Sequence, residues 1–339
     1  MASRLRTWSA FGDIRRRPSE YEIVTHQLHY SMRKGRDAPY EANPAAPMNM
    51  WFSTYRDDSP LACEDWDGFR DPDQYTYREY CARQDEKEVV VRELCSEFHD
   101  RGHDGKLSKD WVNTLRTVFT PGRYPLHGMQ LMAAYVGQIA PSSYITNASC
   151  FEAADYVRAV CVVAYRTREL QMAHPKAGFV DGEQATWQSQ KEWQPARKMI
   201  EEALVAYDWS EAFTALNLVF RPTLESVFYK TFSEVASKNG DELTSLLLAN
   251  LNDDNERSAR WSAALCQYAI GQDKKNAAVL QRWVDKWTPA ADEAAKSVAS
   301  MLNTIPAEGK ADVKKATAAA KGARAALLER CGLAGGTKK

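Results

Sequence analysis

The chain has 339 residues, 44% hydrophobic and 26% charged, and its 44 basic and 45 acidic residues leave a formal net charge of −1. That is the composition of a globular protein, and its near-neutrality argues against a nucleic-acid binder, which needs clustered cations to displace counterions. No apolar run approaches the ~20 residues that span a bilayer, and the opening MASRLRTWSAFGDIRRR has no apolar signal core, so a cytoplasmic, membrane-free protein is expected. Seven cysteines without a CxxC pair read accordingly as reduced thiols.

Residues 1–83 show little helical period. Pro18, Pro39, Pro44, Pro47, Pro60 and Pro72 interrupt them, each disfavouring helix at the residue before it. The same stretch is rich in Trp and Tyr, too aromatic to be disordered, and a long structureless segment is improbable inside a compact domain. It reads as an extended N-terminal arm that contacts partner subunits, with Trp8, Tyr21, His29 and Tyr30 as candidate interface residues, each of which could instead pack on its own bundle.

From about residue 84 the pattern becomes helical. Helices are predicted over 84–100, 108–120 with Ser108 as cap, 122–139 after Pro121, and 143–174. In the last of these the stripe Cys150, Ala154, Val157, Cys161, Ala164 steps 4, 3, 4, 3, as a bundle seam requires. Further helices are predicted over 186–206, 208–238 with a kink at Pro222, 241–270, 273–287, 289–303 opened by Thr288 and Pro289, and 310–331. The reading is all-α, with a helical bundle over 84–305 and a C-terminal helix and tail over 306–339.

A bundle of long helices raises the question of a di-iron carboxylate site, which takes one Glu from each of two helices and a Glu-x-x-His pair from each of the other two. The residues three before His26, His29, His99, His103, His127 and His174 are Ile23, His26, Ser96, Asp100, Tyr124 and Gln171, so no such pair exists. Two weaker groupings, His26 and His29 near Glu22 and the HxxxH pair His99 and His103, read as an under-liganded arm and a wet helix end. GxGxxG, P-loop and GxSxG motifs are also missing, which excludes the phosphate-cradling and hydride-transfer classes.

Arg158, inside the apolar run DYVRAVCVVAY, needs a partner, and Asp155 one turn earlier is the natural one. Asp254 and Arg257 repeat the Asp-x-x-Arg spacing in a later helix. These are candidate buried ion pairs standing where a Glu-x-x-His would hold iron, or else two ordinary surface pairs. Glu211 is a further candidate relic of a lost site. A rival reading is an autonomous metal-dependent oxidase using a carboxylate-only site drawn from Glu152, Asp155, Glu211 and Glu256.

Several segments in order, RTWSAFGDIRRRPSEYEIVTHQLHYS (6–31), SPLACEDWDGFRDPDQYTYREY (59–80), PGRYPLHGMQ, AYVGQIAPSSYITN, VAYRTREL, DWSEAFTALNLV (208–219) and RWSAAL, resemble the hydroxylase beta subunits of the toluene monooxygenases. The resemblance covers nearly the whole chain and thins over the last thirty or so residues. ARQDEKEVVV (82–91) departs from it. It implies a ferritin-like, ribonucleotide-reductase-small-subunit-like fold with no catalytic, cofactor or metal residue of its own. It further implies an (αβγ)2 hydroxylase with a catalytic di-iron alpha subunit and a small gamma subunit, served by an effector protein, a Rieske-type ferredoxin and a reductase. The substrate expected is an aromatic hydrocarbon or alkene, toluene-like or isoprene-like, chosen by the alpha pocket.

Overall fold

The computed structural model describes residue 11 and residues 16–26, 45–304 and 309–333, and among these it is helical with no strand. Two short helices, α1 (Glu20–Thr25) and α2 (Pro47–Phe52), precede α3 (Tyr77–Asp100) and α4 (Lys109–Thr114). The centre is built by α5 (Arg123–Ile139) and α6 (Ser143–Ala173), which form a tight hairpin. After α7 (Glu183–Ser189) and α8 (Gln194–Ala203), a second long pair follows. Its first member is a composite rod, α9 (Trp209–Phe213), α10 (Arg221–Glu225) and α11 (Phe232–Lys238), joined by π-helical Thr214–Phe220 and Ser226–Thr231. Its second member is α12 (Glu242–Gln272). The rod is buried along most of its length. α13 (Asn276–Asn303) covers α8 and the first π-helical turn, and α14 (Val313–Arg330) closes over α10 and α13.

Local chemistry starts these elements where polar caps stand. Ser142 Oγ accepts from the Tyr144 amide to open α6, and the Asp241 carboxylate accepts from Thr244 N at 3.0 Å to open α12. α3 begins at Tyr77, seven residues before the sequence expectation, because Thr76 and Glu79 form a reciprocal capping box inside a segment assigned to the arm. The described part of that arm also packs on the bundle. Leu61 and Phe69 are buried in its core, Ala62 exchanges hydrogen bonds with Asn276, and Arg260 pairs with Asp73 at 3.0 Å.

Two further expectations change. The two helices predicted on either side of Pro289 are one. Trp287 and Ala291 are both anchored in the core, and tertiary packing carries α13 through the missing hydrogen bond. Residues 186–206 break into α7 and α8 around a 3₁₀ turn at Lys191–Trp193, just ahead of Pro195. At Pro222 the rod continues without ending, and the widened π turns before and after it take up the hydrogen bonding that the ring removes.

The largest correction concerns α6. The stripe read as its bundle seam faces outward: Cys150, Val157, Cys161 and Ala164 are exposed and Ala154 is half-buried. The face turned inward carries Glu152, Asp155, Arg158 and Arg166, all buried. Hydrophobic periodicity assigns the wrong side here because the inward face mixes these charges with apolar residues such as Ile145, Val162 and Leu170. Replacing the exposed Pro289 with Ala should restore the interior hydrogen bond of α13 and raise stability by about 1–3 kcal/mol. A denaturant midpoint at or below that of the parent chain would contradict the packing account.

Candidate functional site

The centre of the bundle is a layered network of buried charges. α6 and α12 run antiparallel there, so the two Asp-x-x-Arg motifs meet reciprocally. Arg257 Nη2 donates to Asp155 Oδ2 at 2.8 Å, and Arg158 Nη1 donates to Asp254 Oδ2 at 2.8 Å. The sequence paired Asp155 with Arg158 and Asp254 with Arg257; the structure exchanges these partners between the helices. Residues three apart on one helix lie on one face, so both side chains of each motif point at the neighbouring helix rather than at each other.

α3 completes this layer. Tyr80 donates its hydroxyl proton to Asp155 Oδ1 at 2.7 Å. Gln84 Nε2 donates to both Asp155 Oδ1 at 2.9 Å and Asp254 Oδ1 at 3.0 Å, tying the two carboxylates together. Lys87 adds a second cation to Asp254, and Glu88 accepts from Arg158 Nε at 2.7 Å. Gln84, Lys87 and Glu88 all come from the segment 82–91, so the inward side chains of that mostly exposed segment join the network.

Next along the bundle, Glu152 accepts from Trp261 Nε1 at 3.1 Å. With its amide turned to donate, Asn217 reaches both Glu152 oxygens at 2.7 and 2.8 Å. Arg221 stands between Glu152 at 3.7 Å and Glu225 at 3.8 Å, and Tyr156 donates to Glu225 at 3.3 Å. Burial pushes the Glu152 carboxyl up to about 7 and that of Glu225 well above the ordinary range. At the far end Arg166 grips Asp104 with two bonds of 2.6 Å and lies 3.7 Å from Asp241.

These residues do not fit a di-iron centre. Among the described residues no three His, Cys, Asp or Glu side chains converge where they could hold a metal ion. The interior carboxylates instead face guanidinium, ammonium, indole and carboxamide donors, and a guanidinium has no lone pair to offer a cation. The carboxylate-only alternative fails on placement. Glu211 is taken by Lys286 and by Trp287 Nε1 at 3.0 Å on α13, while Glu256 lines an outer cleft with Lys230 and Arg330.

Of the described histidines, His26 sits at the end of α1 and His103 touches the far end of this network. His26 contacts Tyr144, Glu22 is held by Arg16 and Arg70, and His103 reaches Asp241 at 3.2 Å rather than lying in water. Of the candidate interface residues, Tyr21 is buried within its own bundle, its ring 5.6 Å from Tyr144 and its hydroxyl accepting from Asp71 N. Trp8, His29 and Tyr30 lie outside the described residues. The sequence reading missed Asn217, Arg221 and Glu225, although an Arg in NLVFRPTLE carried the same signal as Arg158: a cation inside an apolar run.

The family model described as methane/phenol/alkene hydroxylase matches residues 51–273, the stretch that contains the whole network. The chain belongs to this family. It is 41% identical over 306 residues to the toluene-4-monooxygenase system hydroxylase component subunit beta of Ectopseudomonas mendocina, covering 90% of this chain and 93% of that one. A solved structure of toluene 4-monooxygenase with toluene bound in its resting active site superposes with a TM-score of 0.83 at 40% identity, covering 89% of this chain and 98% of that one. Two components of one phenol 2-monooxygenase from Pseudomonas sp. (strain CF600) are also similar. DmpL is 23% identical over 72% of this chain and 73% of its own length; DmpN is 24% identical over 66% of this chain but 43% of its own.

Removing one partner of the reciprocal pairs strands a buried charge. Arg257→Leu should therefore cost about 3–5 kcal/mol, and adding Asp155→Leu should recover much of it. Additive losses in that double-mutant cycle would contradict the pairing.

A pH effect follows from Glu152. Its folded pKa lies above that of a free carboxyl, so the folded chain binds more protons and loses stability as pH rises from about 4.5 to about 7. Glu152→Gln keeps an acceptor for Trp261 and should flatten that decline, as read by chemical denaturation at pH 5 and pH 7.5. An unchanged slope would contradict the assignment.

Proposed function

We propose that this chain is the non-catalytic beta subunit of an (αβγ)2 hydroxylase within an NADH-dependent multicomponent monooxygenase. The observation that carries the reading is the interior of the bundle. Where this architecture offers a place for metal ligands, Asp155, Arg158, Asp254 and Arg257 satisfy one another across two helices. The 41% identity to a hydroxylase beta subunit over nine-tenths of the chain supports the same role.

In this reading the di-iron centre and oxygen chemistry belong to a larger alpha subunit. A small gamma subunit completes the hydroxylase, and a reductase, a Rieske-type ferredoxin and an effector protein serve it in the cytoplasm. The contribution of this chain is rigidity: its core is fixed by pairing with itself, so its surfaces can hold alpha in a constant shape. One oxygen atom enters an aromatic hydrocarbon or an alkene; the relatives named for toluene and phenol favour the aromatic class. No helix among the described residues is long and apolar enough to cross a membrane.

The test is affinity purification of the tagged chain from its native cells, with mass spectrometry and iron analysis. A larger chain bearing two Glu-x-x-His motifs, a small third chain and iron should elute together. This chain recovered alone with stoichiometric metal would overturn the proposal.

A further inference from the structure

Where α4 meets the end of α6, cations gather without acids. Lys109 on α4, Arg116 in the π-helical turn Leu115–Phe119 that extends it, and Lys176 beyond α6 line one cleft of about 500 Å³, and no acidic residue lines it with them. In a chain with 44 basic and 45 acidic residues, surface charges of the two signs are usually mixed. Arg116 is the half-buried member. Its Nη2 donates to Asn113 Oδ1 at 2.9 Å, its one side-chain hydrogen bond among the described residues. A guanidinium carries five N–H donors, so most of this fork is unused. Glu183, on the loop beside it, is committed elsewhere, to Arg123 at 3.2 Å and to the Val180 amide at 2.7 Å. The walls are already fixed. His174 Nε2 donates to the Asp104 carbonyl at 2.9 Å, Ala177 N donates to His174 O at 3.0 Å, and Phe179 is buried. Gly178, at φ +83°, supplies the left-handed turn that brings this loop beside the stem of Arg116. The floor is apolar, with Leu107 and Val112 buried and Ala177 half-buried.

We propose that this cleft binds a small organic anion, a monocarboxylate with a compact apolar body. The carboxylate takes the Arg116 fork, whose planar donors match it in pairs, and Lys109 and Lys176 add charge at the mouth. The apolar body lies on Leu107, Val112 and Ala177. This combination separates the ligand from two simpler ones. An inorganic anion such as phosphate leaves the apolar floor unused, and a neutral hydrocarbon leaves three cations unmet. The volume falls in the range of small-molecule pockets, and walls that are already fixed need little ordering when a ligand enters. Asp104 joins the cleft to the buried network, its carbonyl holding His174 and its carboxylate gripping Arg166. The proposal is independent of the beta-subunit reading.

The experiment is a calorimetric titration of benzoate into the chain purified with its partners from its native cells, in parent, Arg116→Gln and Lys176→Gln forms. A partner that binds aromatic compounds adds the same heat to all three, so the difference between forms reads this cleft. Benzoate should bind about tenfold more weakly to Arg116→Gln, through loss of the charge-assisted fork, and about threefold more weakly to Lys176→Gln. Benzamide has the shape without the charge, and phosphate the charge without the body; neither should distinguish the parent from the variants. Melting temperatures report folding. Lys176 is exposed, so its variant should melt with the parent, and it carries the test if Arg116→Gln melts lower. Equal benzoate affinity in all three forms overturns the proposal. Phosphate binding that falls with Arg116→Gln as steeply as benzoate binding overturns it too, because the site would then take any anion. Benzoate binding that appears only once the partners are removed would place a partner's acidic side chain in the cleft, and the proposal would fail equally.

Discussion

Everything at the centre of this bundle depends on how buried charges are matched across α6 and α12. A carboxylate or guanidinium taken out of water costs several kcal/mol unless a partner and further hydrogen bonds meet it. Here the matching is reciprocal, Asp155 with Arg257 and Arg158 with Asp254, and it holds only when the helices run antiparallel in one register. A slip of one residue would separate both pairs at once. The network therefore specifies alignment more than it adds net stability, since well-packed apolar residues could hold the two helices as firmly. Gln84 from α3, donating to both aspartates, extends the same specification to a third helix.

This matching explains why one helix, α6, is misread when judged by hydrophobic spacing alone. α6 buries Glu152, Asp155, Arg158 and Arg166 and exposes Val157 and Tyr165. An ionic interior is tolerable because the composite rod and α12 bring Arg221, Trp261 and Asn217 to the remaining carboxylates. The π turns on either side of Arg221 and Pro222 lie in the buried rod that delivers Arg221 and Asn217. An outward apolar face is tolerable in a chain that works as one part of a larger assembly. Both departures from the usual amphipathic pattern sit on one helix, α6, whose inward charges are matched by its neighbours.

Membership of the hydroxylase family and the self-paired centre support each other. The same architecture can hold metal ligands projecting inward from facing helices. Here the inward positions are given to Asp–Arg pairs, and the carboxylates that remain, Glu152 and Glu225, share one guanidinium between them. The inward positions are thereby occupied by the chain's own ion pairs.

The sequence alone determined the helical class, the approximate position of the long helices, the missing Glu-x-x-His pairs and the kinship with hydroxylase beta subunits. These rest on local spacing, capping and segment identity, which are written along the chain. It also marked Asp155 and Arg158, because a cation within an apolar run needs a partner, and Asp254 and Arg257 by the repeated spacing. Only the tertiary structure decided which acid meets which base, since reciprocal pairing depends on antiparallel register between residues about a hundred apart. Tertiary packing also turned the Cys150–Ala164 stripe outward, carried α13 through Pro289, and brought Gln84, Lys87 and Glu88 to the two Asp–Arg pairs. Periodicity shows that a helix has two faces; which of them meets the core is settled by what the neighbouring helices present to it.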